Sequence, residues 1–84
     1  MSVATIAGLG LAATGAAHFV APDAFRSITE PAFPEDTDEW IKRNGATELV
    51  VGLLIAKKST RKLGVLGLGA YGAFLASRVS GANT

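Results

Sequence analysis

Ser2 to Ala21 reads SVATIAGLGLAATGAAHFVA, without one Asp, Glu, Lys or Arg. A membrane-spanning helix needs roughly 17–25 mainly apolar residues. The stretch is long enough to cross as a single helix, although its alanines and glycines make it only weakly hydrophobic. Its one titratable side chain is His18. The same texture recurs twice. Asn44 to Ala56 carries one charge, Glu48, and Leu63 to Ser77 carries none. Charge collects between these stretches. Six of the seven acids (Asp23, Glu30, Glu35, Asp36, Asp38, Glu39) fall within residues 22–40, and four of the eight bases (Lys57, Lys58, Arg61, Lys62) within 57–62. Helices of a soluble bundle each keep a polar face. Here polarity is confined to the joints.

Composition narrows the function. With 84 residues, 49% hydrophobic and 18% charged, the chain is one small domain and is not disordered. Near this size a water-soluble core barely offsets chain entropy, and there is no cysteine to staple it. A net charge of +1 gives no nucleic-acid surface. Absence of cysteine removes thiol catalysis and thiolate metal sites, and a single histidine cannot build a metal cage. No catalytic residue or metal site is expected. A soluble three-helix domain that oligomerises is the bland alternative, but residues 2–21 and 63–77 offer no polar side beyond Ser, Thr and Tyr. A cleaved signal peptide over 1–20 lacks the positive leading region such peptides need.

The expected fold is all-α and integral to the membrane. It is a single domain over 1–84, with three transmembrane helices at about 2–21, 37–57 and 60–79 and an acidic loop over 22–36. The second helix starts at an Asp36 or Thr37 cap, with Asp38 and Glu39 complementing the dipole of the first turn. Trp40 suits a headgroup-level anchor, and Lys42 and Arg43 can snorkel. The third helix runs from a Ser59 or Thr60 cap to about Val79, with Gly81 as its stop. The basic cluster 57–62 sits in a short connection, which the positive-inside rule places in the cytoplasm. The amino terminus then lies in the cytoplasm, and the acidic 22–40 loop and the carboxyl terminus lie outside.

Within that loop Pro22 can open a short interfacial helix, with Phe25 and Ile28 on one apolar side. Pro31-Ala-Phe-Pro34 should be extended, since proline biases its predecessor away from helix. The acidic run reads either as a docking surface for a basic partner or as a solvated cap turn.

Two polar residues sit where they are costly. His18 and Glu48 flank the same loop and so share a membrane depth. Gly8 and Gly15 lie on the His18 face of the first helix, and Gly45 and Gly52 on the Glu48 face of the second. Glycine beside a polar group lets two backbones approach and lets that group reach a partner. Helices one and two should therefore pack with His18 facing Glu48. The pair is either a structural clamp or a contact for a quinone headgroup; a haem-ligand role for His18 across a dimer is the least supported. On helix three Gly69, Gly72, Ala73, Ala76 and Ser80 form a flat face for another helix of this chain or a partner. Tyr71, Phe74, Leu75 and Arg78 form a bulky face that packs or meets lipid. Gly67-Leu-Gly69-Ala-Tyr-Gly72 matches the dinucleotide-binding glycine fingerprint, but no acid follows Glu48, so the match is discarded.

The order Gly15, His18-Phe19, Pro22, Phe25, a proline-containing loop, Gly45-Ala-Thr-Glu48 and Gly52, then a basic turn and a third hydrophobic stretch, resembles the DoxX-like family of small membrane proteins. The resemblance implies a helical membrane bundle with His18, Glu48 and their glycines at its polar centre. That family usually has four spans, which implies a partner or lipid in the place of the fourth wall. It also implies a bacterial plasma-membrane protein, an accessory subunit of a respiratory assembly of the cytochrome or oxidase type. The partners would then be other integral membrane subunits and lipid. The alternative is a quinone-binding subunit of a DoxX-type membrane oxidoreductase, with quinone or lipid held at a subunit interface.

Overall fold

The computed structural model describes residues 1–82; Asn83 and Thr84, the end of the expected domain, lie outside the described residues. Among those described, the chain is all-α. Helix α1 spans Val3–Val20 and is capped by Ser2, whose hydroxyl accepts from the Thr5 amide at 3.1 Å. A 3₁₀ turn at Pro22–Phe25 leads into the single-turn α2, Arg26–Thr29. Helix α3 spans Thr37–Ala56, a second 3₁₀ turn covers Lys58–Thr60, and α4 spans Arg61–Ala82. Helix α3 packs antiparallel against α1 on one side and α4 on the other. The body measures 39 × 27 × 17 Å. The thinnest dimension is under two helix diameters at about 10–12 Å each, so the long helices lie side by side with α3 in the middle.

The α1–α3 contact is built on glycine. A Cβ at Gly8 would stand 2.5 Å from the Ala56 amide nitrogen and 2.7 Å from the Gly52 carbonyl. A Cβ at Gly45 would stand 2.8 Å from the Gly15 carbonyl and 2.5 Å from the Cβ of His18. Gly15 and Gly52 are as closely opposed to α3 and α1 backbone respectively. No side chain fits between the two helices at these levels, so backbone rests on backbone. Gly64 plays the same part where α4 starts, 2.7 Å at its would-be Cβ from the Ile55 amide nitrogen.

Two helical segments, Val3–Val20 and Lys58–Gly81, are long and apolar enough to cross a membrane by length and composition. Helix α3 carries Asp38, Glu39, Lys42, Arg43 and Glu48, but its central position buries Ile41, Asn44, Val51 and Ile55.

Several local expectations are corrected. Neither Asp36 nor Thr37 caps α3 with its side chain. Asp36 occupies the cap in the left-handed region, φ 58°, with no side-chain cap bond, and the Thr37 hydroxyl donates to the Phe33 carbonyl at 2.6 Å. Nor does Thr60 cap α4; its hydroxyl turns back to the Leu54 carbonyl at 2.7 Å. Gly81 is no stop, because α4 runs through it to Ala82. The 31–34 stretch is not extended at its start: residues 30–32 turn, with the amides of Ala32 and Phe33 both donating to the Thr29 carbonyl. Phe25 and Ile28 do not share a face. Phe25 folds inward onto His18, while Ile28 stays 72% exposed.

For α4 the structure chooses between the two sides left open: Tyr71, Phe74, Leu75 and Arg78 turn toward α3 and the loop, whereas a Cβ at Gly69 or Gly72 would meet nothing beyond its own helix within 4 Å among the described residues, and Ala73, Ala76 and Ser80 are exposed. Large rings win because they reach across to Phe33, which is the deepest side chain of the loop at 1% exposure. Phe33 stacks on Trp40 with centroids 4.4 Å apart, and Phe74 lies 6.0 Å from Phe33. The Arg78 guanidinium sits 4.7 Å above the Phe33 ring, and its Nε donates to the Ala32 carbonyl at 3.3 Å.

Candidate functional site

Glycine contact brings His18 on α1 against α3, and the rest of the site follows from that. His18 is 4% exposed. Its Nδ1 lies 2.7 Å from the Thr14 carbonyl. A carbonyl only accepts, so Nδ1 carries the proton of that bond. The opposite nitrogen, Nε2, faces Glu48 Oε2 at 3.5 Å. The same carboxylate oxygen accepts from the Tyr71 hydroxyl of α4 at 3.0 Å. One oxygen of Glu48 thus joins all three long helices. Attraction across the His18–Glu48 gap requires a proton there: either imidazolium faces carboxylate, or imidazole faces carboxylic acid. Both arrangements leave the pair neutral as a whole, which lowers the cost of polar groups in low dielectric.

Phe25 closes the outer side of the histidine, with ring centroids 3.7 Å apart and planes at 16°. The 3₁₀ turn places it there, because Pro22 follows the end of α1 and starts the turn that swings Phe25 back. Beside the network lies a cavity of about 150 Å³. His18, Glu48 and Tyr71 line its polar part; Phe33, Leu75 and Val79 line its apolar part. Asn44 also lines it, only 6% exposed. A cavity of this size accommodates one six-membered ring or a few waters.

The predicted residues are therefore placed as follows. His18 and Glu48 meet, and Gly8, Gly15, Gly45 and Gly52 lie in the α1–α3 contact. Gly69, Gly72 and Ala76 lie on the outward side of α4, away from the network. Tyr71, Asn44 and Phe25 were not singled out for the site. Asn44 carried a legible signal, four residues before Glu48 and so on the same helical face. Tyr71 and Phe25 depend on how α4 and the loop dock. Among the described residues no group of three His, Asp, Glu or Cys is arranged to hold a metal.

Two further polar clusters mark the ends of the molecule. At the loop end Arg26 pairs with Asp38 and, at 3.2 Å, with Asp23; its pKa is raised by the bond to Asp38 first and Asp23 second. At the opposite end Arg61 closes the carboxyl end of α3. Its Nε donates to the Ile55 carbonyl at 2.8 Å, and its Nη2 donates to Thr5 Oγ1 at 3.0 Å and the Ala56 carbonyl at 3.3 Å. These are carbonyls that helix geometry leaves without partners.

Among curated proteins and among solved structures none matches the chain significantly. A family model does match, over residues 7–84, and that range takes in most of α1, all of α3 and α4, and His18, Glu48 and Tyr71. The chain belongs to the family described as Domain of unknown function (DUF8561).

Proposed function

We propose that this protein is a three-span integral membrane subunit with no catalysis of its own, held in a larger membrane complex through the outer side of α4. The observation that carries the reading is the exposure of α4. Only 6% of its apolar segment is buried, and one side is a run of exposed small residues, Gly69, Gly72, Ala73, Ala76 and Ser80, with open space at Gly69 and Gly72 among the described residues. Small residues let helices approach in lipid, where packing rather than hydrophobicity drives association. Helix α3 is the third span in this reading. Its charged first turns lie at the headgroup level, and α1 and α4 shelter Glu48 from lipid. The basic 57–62 turn faces the cytoplasm and the acidic loop faces outward. In this reading the His18–Glu48–Tyr71 network is a clamp that fixes three helices in one layer. The resemblance to DoxX-like proteins directs the search for a partner to bacterial respiratory assemblies.

The test is purification of native membranes in mild detergent. The chain should migrate with other membrane subunits, haem-containing ones by the respiratory form of the proposal. Migration alone rejects the accessory role, and recovery in the soluble fraction rejects the membrane reading altogether.

The cavity favours a second reading, a quinone-binding subunit. Its volume fits one ring, and Asn44, His18, Glu48 and Tyr71 supply donors and acceptors on one wall. Glu48→Gln and His18→Ala separate the two ideas. Loss of assembly supports the clamp; normal assembly with loss of quinone-dependent turnover in the complex supports the quinone site.

A further inference from the structure

The two ends of the molecule differ in charge. At the α3–α4 turn, Lys57, Lys58 and Lys62 are exposed, and among the described residues none of them forms an ion pair. Glu48 is the acid nearest in sequence, nine residues before Lys57, which is about 13 Å along α3. Helix α1 starts at this same end, since Thr5 Oγ1 donates to the Ala56 carbonyl at 3.2 Å, and its first turn contains no acid. Its dipole adds positive potential there. Arg61 contributes charge as well, although its Nε and Nη2 are occupied by backbone carbonyls and Thr5.

Two of these cations, Arg61 and Lys62, line a groove of about 360 Å³ together with Val65 and Leu66. Its side-chain walls beyond the two cations are aliphatic, and Val65 and Leu66 are 53% and 72% exposed. A cluster of ammonium groups in the turn and first residues of α4, leading into an aliphatic furrow on that helix, calls for one kind of occupant: a molecule with an anionic head and a hydrocarbon tail. A free phosphate would leave the furrow empty, and a zwitterionic lipid would gain little from unpaired cations.

We propose that the α3–α4 turn is a binding site for an anionic phospholipid. Its phosphate lies against Lys57, Lys58 and Lys62, and its first acyl carbons lie along Val65 and Leu66. The site rests on the membrane reading above. It explains why this end keeps its cations unpaired while the loop end ties Arg26 and Arg43 to carboxylates. Basic residues at a membrane surface attract anionic lipid by an amount that adds up over a cluster.

The experiment uses the purified full chain in mild detergent, titrated with equal amounts of phosphatidylglycerol and phosphatidylcholine of the same acyl chains, with retained lipid read by native mass spectrometry. Phosphatidylglycerol should be retained about tenfold over phosphatidylcholine. The variant Lys57→Gln/Lys58→Gln/Lys62→Gln should bring the ratio to about one, Lys62→Gln alone should lower it partway, and Lys42→Gln/Arg43→Gln at the other end should leave it unchanged. Equal retention by the unmodified chain, a preference that survives the triple variant, or its loss in the Lys42/Arg43 variant overturns the site. Flotation with pure phosphatidylcholine vesicles separates this from the parent reading. A chain that floats yet shows no head-group preference refutes the lipid site alone, and a chain that does not float refutes both.

Discussion

Tyr71 on α4 donates its phenolic proton to Oε2 of Glu48 on α3, 3.0 Å away, and this oxygen is the one that faces His18 of α1. Here a single carboxylate oxygen of α3 touches side chains from both neighbouring helices. Helix α4 has few other polar ties to the α1–α3 pair along its middle, so the bond fixes its rotation. It turns the rings inward and leaves the small residues outside.

Removing that hydroxyl therefore tests the rotation as well as the stability. Tyr71→Phe keeps the ring and deletes one bond to an ionisable group. A loss of about 1 kcal/mol is expected, the scale of a polar helix–helix bond in a membrane protein. Equilibrium unfolding in mixed micelles measures it. Glu48→Gln in the same background should then cost less than Glu48→Gln alone, because the two changes break a shared network.

The α1–α3 contact gives a sharper contrast. Gly45→Ala places a methyl 2.5 Å from the Cβ of His18 and 2.8 Å from the Gly15 carbonyl, and neither can retreat. Destabilisation of about 1–3 kcal/mol is expected from overpacking. Gly10→Ala on α1 meets nothing within 4 Å and should raise stability by up to about 1 kcal/mol through helix propensity. Paired thermal scans of the two variants decide it, and opposite signs are the expected outcome.

Much of this was legible beforehand, for physical reasons that differ by element. Two of the long helices follow the sequence signals closely, α1 ending at Val20 just before Pro22 and α3 covering Thr37–Ala56, whereas α4 runs through Gly81 to Ala82. The meeting of His18 with Glu48 was readable because glycine spacing and depth are both properties of a single chain position. The docking of α4 was not. Gly69, Gly72 and Ala76 advertise close packing, but the sequence does not say whether the neighbour belongs to this chain, and here the chain spends the opposite face. Phe33 was unreadable for a related reason. Two prolines around it suggested an extended segment, whereas the turn at 30–32 brings its ring into a cluster with Trp40 and Phe74.

Phe33 consequently carries a prediction of its own. It is almost fully buried, stacks on the only tryptophan and supports Arg78 on its face. Phe33→Ala should cost about 3–5 kcal/mol, the range for deleting a buried ring. Trp40 emission reports the change directly and should shift to the red as the stack is lost. Phe33→Leu fills much of the space without the ring and should recover part of the stability but not the stacking.

The outer side of α4 supplies the last prediction, and it separates folding from assembly. A Cβ at Gly72 would meet nothing beyond its own helix within 4 Å among the described residues, and Ala76, one turn further on, is exposed. Gly72→Leu and Ala76→Leu should therefore leave the fold intact, with Trp40 emission and unfolding midpoint unchanged to within about 0.5 kcal/mol. A partner helix seated on this side would be pushed off by the added branches, because close backbone approach tolerates no such bulk. Blue-native electrophoresis of solubilised membranes should then show the chain released from its complex. The contrasting substitution, Phe19→Leu on the exposed end of α1, changes no small-residue surface and should leave the proposed complex whole. Release by both, or by neither, would remove the flat side of α4 as the docking surface.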